Sequence, residues 1–298
     1  MIARPVSKPL GAALGHQGPS PRGMQRAEVT AGAPTSPSPA LAANRGPNAE
    51  AVAAAAASCA ATPPAATALL GGNETAALFR LMAWLSPAYP VGAFSYSSGL
   101  EWAVEAGDVT DAGDLERWLA VMIGFGTGYC DAIFFVHAYQ AAQGMDAASL
   151  AGVAELAAAF APSKERHLET TAQGMAFLTA TRAAWPCHTL DRLVASWDGP
   201  YAYPVSVAVA AAGHRVAVEP ALLAYLHAMA SNLISAGIRL IPLGQTQGQR
   251  VLAALEPVIA ATVARALLAP LEAAGSAAFR ADIASQRHEV QYTRLFRS

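Results

Sequence analysis

Two long apolar helical patterns, one running in from Pro220 and one running out to Leu268, meet in the stretch Gly237-Ile-Arg-Leu-Ile-Pro-Leu-Gly-Gln-Thr-Gln-Gly-Gln-Arg-Val-Leu252. At its centre Pro242 removes a backbone donor and Gly244 loosens the chain, so a plain helix cannot continue through it. Gln245, Gln247 and Gln249 then place neutral amides in an otherwise apolar segment. Amides donate and accept hydrogen bonds without titrating, which suits holding a shape or a partner better than catalysis.

The helical period recurs along most of the chain. Asn73 is a good N-cap with Glu74 in the first turn, and Leu78, Leu81, Met82 and Leu85 follow as one apolar face ending before Pro87. The segment Ser86–Ser97 reads as a loop with two prolines and outward aromatics, and Ser98-Gly-Leu-Glu101 as a capping box opening the next helix. Leu115, Trp118, Leu119 and Met122 form another face, separated by Gly124-Phe-Gly-Thr-Gly128 from a helix around Asp131–Gln143. Further helices are expected over Met145–Phe160, Ser163–Arg182 and Ala277–Gln286. Pro186–Gly199 has no clear pattern, with Trp185 and Trp197 expected in the core. Val205–Val209 is β-branched, yet its alanine flanks and lack of a pairing partner favour a buried helix. Strand alternation appears nowhere else, so the expected fold is all-α, a multi-helix bundle.

Composition divides the chain in two. Residues 1–72, rich in Ala, Pro, Ser and Gly, cannot bury enough apolar surface to offset ordering entropy and are expected to be a disordered extension. Residues 73–298 form the helical domain. Only 13% of the chain is charged, against about 25% in ordinary domains, and the net charge of −2 gives no electrostatic case for nucleic acid. Cys59, Cys130 and Cys187 lack a CxxC pairing, which fits a reducing compartment. No signal-like apolar core precedes Pro19, and runs such as Val251–Leu271 are broken by Glu256, Pro257 and Arg265. A cytoplasmic protein that does not enter the membrane is expected.

A search for reactive chemistry returns little. No lysine follows a glycine as a P-loop requires, and Gly124–Gly128 has no preceding strand to make it a nucleotide loop. Ser95 does not sit in a nucleophile elbow, and His288-Glu289 lacks the second histidine of a zinc motif. Cys130 and His137 are two helical turns apart, too far to share one ion. No catalytic residue, metal ligand or cofactor is assigned. The rival readings are a small-molecule enzyme with a site around Glu165, His167 and Tyr96, and a membrane-associated helical protein. The last twelve residues are unusual for a terminus: Arg287, Arg294 and Arg297 stand beside Tyr292, Leu295 and Phe296, the composition of a binding hot spot.

Three separated motifs carry a resemblance: Ser86-Pro-Ala-Tyr-Pro-Val-Gly-Ala-Phe-Ser-Tyr-Ser-Ser-Gly-Leu-Glu101, Pro242-Leu-Gly-Gln-Thr-Gln-Gly-Gln249, and His288-Glu289 with Arg294-Leu-Phe-Arg-Ser298. Glu165 and Gln173-Gly174 fit between them. In order and spacing these resemble the urease accessory protein F family over roughly Asn73–Ser298; Ala93 stands where the family commonly has a glycine. The resemblance implies a non-catalytic, all-helical homodimer that acts in assembling the nickel centre of urease. Such proteins bridge the D-type accessory protein (H in some organisms) to the G-type GTPase, and the complex docks on apo-urease. It further implies partner surfaces at Tyr89, Pro90, Gly92, Phe94, Tyr96 and Glu101, and at His288, Glu289, Tyr292, Arg294, Leu295, Phe296, Arg297 and Ser298. Pro242, Gly244, Gln245 and Gln249 are placed near the dimer axis, where metal passage has been proposed for the family. Deleting Leu295–Ser298 is then expected to weaken partner binding without unfolding the helical core.

Overall fold

The computed structural model describes residues 72–298. The extension expected over residues 1–72 therefore lies outside the described residues except for Gly72, which begins the first helix. The α-helices are α1 Gly72–Trp84, α2 Leu100–Glu105, α3 Ala112–Phe125, α4 Thr127–Gln143, α5 Ala147–Ala159, α6 Lys164–Ala184, α7 His188–Ser196, α8 Tyr203–Gly213, α9 Val218–Leu240, α10 Gln245–Ala266 and α11 Phe279–His288. Short 3-10 turns occur at Ala93–Ser95 and Leu271–Ala273, and there is no strand among the described residues. The all-α reading holds, including the choice of helix for Val205–Val209.

Two inner helices organise the bundle. In α4, Ile133, Phe134, Phe135, Val136 and Ala138 are all buried, so the helix is apolar around its whole circumference and must be enclosed by others. In α8 every residue from Pro204 to Ala211 is buried. These two make the most extensive helix–helix interface, with α5, α3, α9 and α10 packed on α4 and with α6, α7 and α9 on α8. Polar caps start the outer helices: Asp111 accepts from the Asp114 amide at 2.9 Å, Asp146 from Ser149 at 3.0 Å and Ser163 from Arg166 at 3.1 Å.

The break at Pro242 and Gly244 separates α9 from α10, which then pack against each other. Gln247 supplies the restart, its Oε1 accepting the Gly244 amide at 2.9 Å. Helix α10 runs through Pro257 without ending. The glycine-rich interruption shrinks to the single residue Gly126 between α3 and α4.

Four expectations need correction. The face of α1 is set by Trp84, which is fully buried with Leu81, while Leu78 and Met82 stand 50% and 69% exposed. Ala77, Leu81, Trp84 and Leu85 make the inward row, because the largest ring on the helix gains most from burial. Secondly, Tyr89 is not an outward aromatic: it packs 5.4 Å from the Phe177 ring, and its hydroxyl meets Thr181 Oγ1 at 2.8 Å. Thirdly, two stretches, Ala112–Gln143 and Val218–Leu240, are long and apolar enough to cross a membrane, though the sequence appeared to offer none. Their most apolar windows are 67% and 50% buried within the protein, which is what helices packed inside a bundle require. Trp185 and Trp197, expected in the core, lie at its edge, half-buried.

Gly174 fixes how closely α6 approaches the segment entering α8. A Cβ added there would lie 1.9 Å from the Tyr201 carbonyl oxygen. Replacing glycine by alanine within a helix ordinarily gains up to about 1 kcal/mol. Gly174→Ala reverses that sign: forcing the two backbones apart is expected to cost about 2 kcal/mol or more, read as a lower urea midpoint at unchanged slope.

Candidate functional site

The charged residues of this sparsely charged chain converge between α2, α6, α11 and the final segment. Glu101 occupies the second position of α2, and its side chain is 8% exposed. The helix opens at Gly99, with φ +81, where any Cβ would meet the Ser285 amide nitrogen at 2.5 Å. Ser98, also at positive φ, does not cap α2. The capping box expected at Ser98–Glu101 is therefore absent; Ser97 Oγ instead accepts the Glu101 amide at 3.3 Å. The Glu101 carboxylate is left to reach across the molecule.

It accepts the backbone amides of Leu295 at 2.6 Å and Phe296 at 3.0 Å, and its Oε2 lies 3.0 Å from His288 Nε2. The other ring nitrogen of His288, Nδ1, lies 2.5 Å from Glu165 Oε2. His288 is fully buried, so both of its nitrogens face carboxylates and each contact must contain a proton. Arg294 Nη1 completes Glu165 at 2.5 Å. The Ser97 amide and hydroxyl both donate to the backbone oxygen of Ser298, at 2.6 and 2.5 Å, while the Arg297 amide donates to Ser95 O at 2.8 Å. Ser298 Oγ donates to Glu169 Oε2 at 2.7 Å.

These bonds place the candidate residues from the sequence. Phe296 and Ser298 are 4% and 1% exposed, and Tyr96 is buried as well. Glu289 accepts the Lys164 amide at 2.8 Å, an anion against the N-terminus of α6. Tyr292, Arg294, Leu295 and Arg297 point outward, as do Pro90 and Phe94; Gly92 makes the φ +70 turn between them. The tail is thus a packed segment with an outward edge, where the sequence pointed to a free surface. Pro242 and Gly244, in the turn between α9 and α10, and Gln245 and Gln249, at the start of α10, are all exposed.

Sequence reasoning missed Arg239, Arg166, Glu169 and Asp131. Arg239 ends α9 with its guanidinium 4.3 Å from the Phe296 ring centroid and Nη2 donating to Phe94 O at 2.8 Å, tying loop to tail. Arg166 Nη1 pairs with Glu169 at 2.7 Å, and its Nη2 approaches Asp131 at 4.0 Å. Burial disfavours the Arg166 charge, but Glu169 and Asp131 outweigh that and raise its pKa. Tyr225 donates to Asp131 Oδ2 at 2.8 Å. Burial nevertheless pushes the Asp131 carboxyl up to about 6 against the pull of Arg166 and Tyr225. A cavity of about 300 Å³ under the Leu85–Ser98 loop and a second of about 340 Å³ beside α5 share Asp131, Arg166 and Thr170 in their walls. The available signal was Lys164-Glu-Arg-His-Leu-Glu169, the densest charge in the chain.

The enzyme rival does not assemble. Glu165 is occupied by His288 and Arg294, whereas His167 on the same helix turns away, its Nδ1 lying 2.9 Å from Ala158 O. Among the described residues no three His, Cys, Asp or Glu side chains group to hold a metal ion.

Two substitutions test these electrostatics. Glu101→Gln leaves His288 with one poor partner and is expected to cost about 3 kcal/mol, the usual penalty for breaking a buried pair, measured by urea unfolding. For Asp131 the folded pKa is raised, so its ionisation opposes folding. Its contribution is most favourable below the ordinary carboxylate range and is lost as pH rises through about 6. The stability of Asp131→Asn relative to wild type is therefore expected to improve between pH 4.5 and 7.5; a flat difference would contradict the assignment.

Comparison with known proteins agrees with this geometry. The sequence profile described as UreF matches residues 109–256. The urease accessory protein UreF of Bradyrhizobium diazoefficiens (strain USDA 110) is 60% identical over 229 residues, covering 77% of this chain and 95% of that protein. The UreF of Bradyrhizobium sp. (strain ORS 278) is 61% identical over 228 residues, covering 76% and 95%. That of Rhodopseudomonas palustris (strain HaA2) is 60% identical over 229 residues, covering 77% and 97%. With this degree of identity over nearly the whole length of its relatives, the chain belongs to the UreF family of urease accessory proteins.

Proposed function

We propose that this protein takes part in urease maturation as a non-catalytic docking platform. In this reading it is a cytoplasmic homodimer that bridges the D/H-type accessory protein and the G-type GTPase to apo-urease during nickel insertion. The observation that carries it is the outward edge of the tail. Tyr292 is fully exposed and Leu295 is 64% exposed, while Leu295 and Phe296 have their backbone amides fixed by Glu101. A large aromatic and an apolar side chain held rigidly in water cost little further ordering when a partner covers them. Phe279, Ile283 and Val290 are exposed nearby in sequence and extend the apolar surface offered by α11 and the tail. Gln245 and Gln249 lie apart from the tail, at the start of α10, and supply neutral amides for a contact between copies of the chain.

Co-purification with the D- and G-type proteins tests the reading; a well-folded chain that binds neither would overturn it. Tyr292→Ala is expected to weaken capture of a partner by roughly tenfold or more with an unchanged melting temperature. For deletion of Leu295–Ser298, the hydrogen bonds of the tail give an expectation that differs from the one drawn from the sequence. The deletion removes the groups that satisfy Glu101, Ser97 and Glu169, so the melting temperature is expected to fall along with binding.

A further inference from the structure

We propose that the cavity of about 300 Å³ under the Leu85–Ser98 loop binds a small uncharged ligand carrying a primary carboxamide on an apolar body. The cavity reaches the surface between that loop and α9, where Pro87, Phe94, His227 and Ser235 are exposed. Leu85, Val91 and the rings of Tyr89, Tyr203 and Tyr225 supply its apolar wall. Its inner end is polar and buried. Gln173 is 6% exposed; its Nε2 donates to Glu169 Oε1 at 3.4 Å, and its Oε1 accepts from no described residue. Arg166 is 7% exposed, with Nη1 taken by Glu169 Oε1 at 2.7 Å and Ser98 Oγ at 3.3 Å. Its Nη2 lies 4.0 Å from Asp131 Oδ2, beyond hydrogen-bond reach, and its Nε donates to no described residue. Asp131 Oδ2 accepts the Tyr225 hydroxyl at 2.8 Å, which leaves Oδ1 for another donor. The Tyr203 hydroxyl has no partner among the described residues; burial raises its pKa, with Tyr89 adding to the effect, so it remains a neutral donor.

Buried polar groups without partners cost free energy, so this end of the cavity favours whatever completes them. Charge narrows the choice. Glu169 and Asp131 stand beside the single guanidinium of Arg166, so a carboxylate or phosphate meets two like charges. An ammonium meets Arg166, whose remaining N–H groups line the same space. A neutral ligand meets neither penalty. Hydrogen bonding narrows it further. The unpaired acceptors are Gln173 Oε1 and Asp131 Oδ1, and the unpaired donors are Arg166 Nη2 and the Tyr203 hydroxyl. A primary carboxamide carries the complement, an oxygen that accepts two hydrogen bonds beside an NH2 that donates two. An alcohol donates only one. The rings of Tyr203 and Tyr225, 5.4 Å apart, give a flat apolar body a surface to pack on, the usual division of labour in a small-molecule site.

The test is titration of the full chain with three ligands of similar shape and different charge, benzamide, benzoate and benzylamine, followed by two-dimensional amide NMR. Benzamide is expected to bind with a dissociation constant on the order of 1 mM, as suits a fragment of its size. Its shifts should concentrate in the Leu85–Ser98 loop and at Asp131, Thr170 and Gln173. Benzoate and benzylamine are expected to bind roughly tenfold more weakly or worse. Gln173→Leu removes one acceptor and Tyr203→Phe one donor while keeping the ring; each is expected to weaken benzamide by roughly fivefold. Circular dichroism establishes that each variant is folded, and Tyr203→Phe supplies the readout should Gln173→Leu fail to fold. Failure of wild-type protein to bind benzamide overturns the proposal, as do shifts that fall outside the cavity. Binding of benzoate or benzylamine as tight as that of benzamide overturns the neutral-amide assignment, and so does an unchanged benzamide affinity in a folded variant.

Discussion

A buried carboxylate that cannot be left unpartnered dictates how the end of this chain folds. Glu101 sits on the short helix α2, shielded from water, and moving an ionised carboxylate into such a place costs far more than any single neutral contact returns. Three groups repay that cost: the amides of Leu295 and Phe296 and the ring of His288. None of them is local in sequence. The final segment must therefore return across α2, and Phe296 is carried under Arg239 with it. Glu165 repeats the logic one layer out, pairing the same histidine and Arg294. Because His288 bridges the two carboxylates, the network loses more than one bond if any member is removed.

What was legible beforehand follows from the physics each feature obeys. Helical period is local, so α3, α5, α6 and the interruption between α9 and α10 could be read directly from Leu115, Leu119 and Met122 or from Pro242 and Gly244. Helix α8 was legible because valines flanked by alanines had no strand to pair with. The rotation of α1 was not, since Leu78 and Met82 are as apolar as Leu81 and only the tertiary position of Trp84 decides between them. The site was half legible. The arginine–aromatic composition of the tail marked it as special, but whether Phe296 faces water or the core depends on Glu101, almost two hundred residues away. Likewise Ser98 and Glu101 have the spacing of a capping box, and only Gly99, pressed against Ser285 with positive φ, prevents one.

The same arrangement bears on the docking role proposed above. Arg166, Glu169 and Asp131 are engaged with one another. What remains for recognition is shape: Tyr292 and Leu295 stand in solvent on a backbone that is already ordered. In that proposed role the chain would depend on rigidity more than on any one residue's chemistry.

The most direct measurement is native-state hydrogen exchange at the Leu295, Phe296 and Arg297 amides of the intact chain without partners. If the Glu101 anchor is formed as described, these amides exchange orders of magnitude more slowly than an unstructured peptide, approaching the protection of α4 and α8. Exchange at free-peptide rates, with α4 and α8 still protected, would mean that the tail is loose in the isolated protein and that the anchor does not govern its fold.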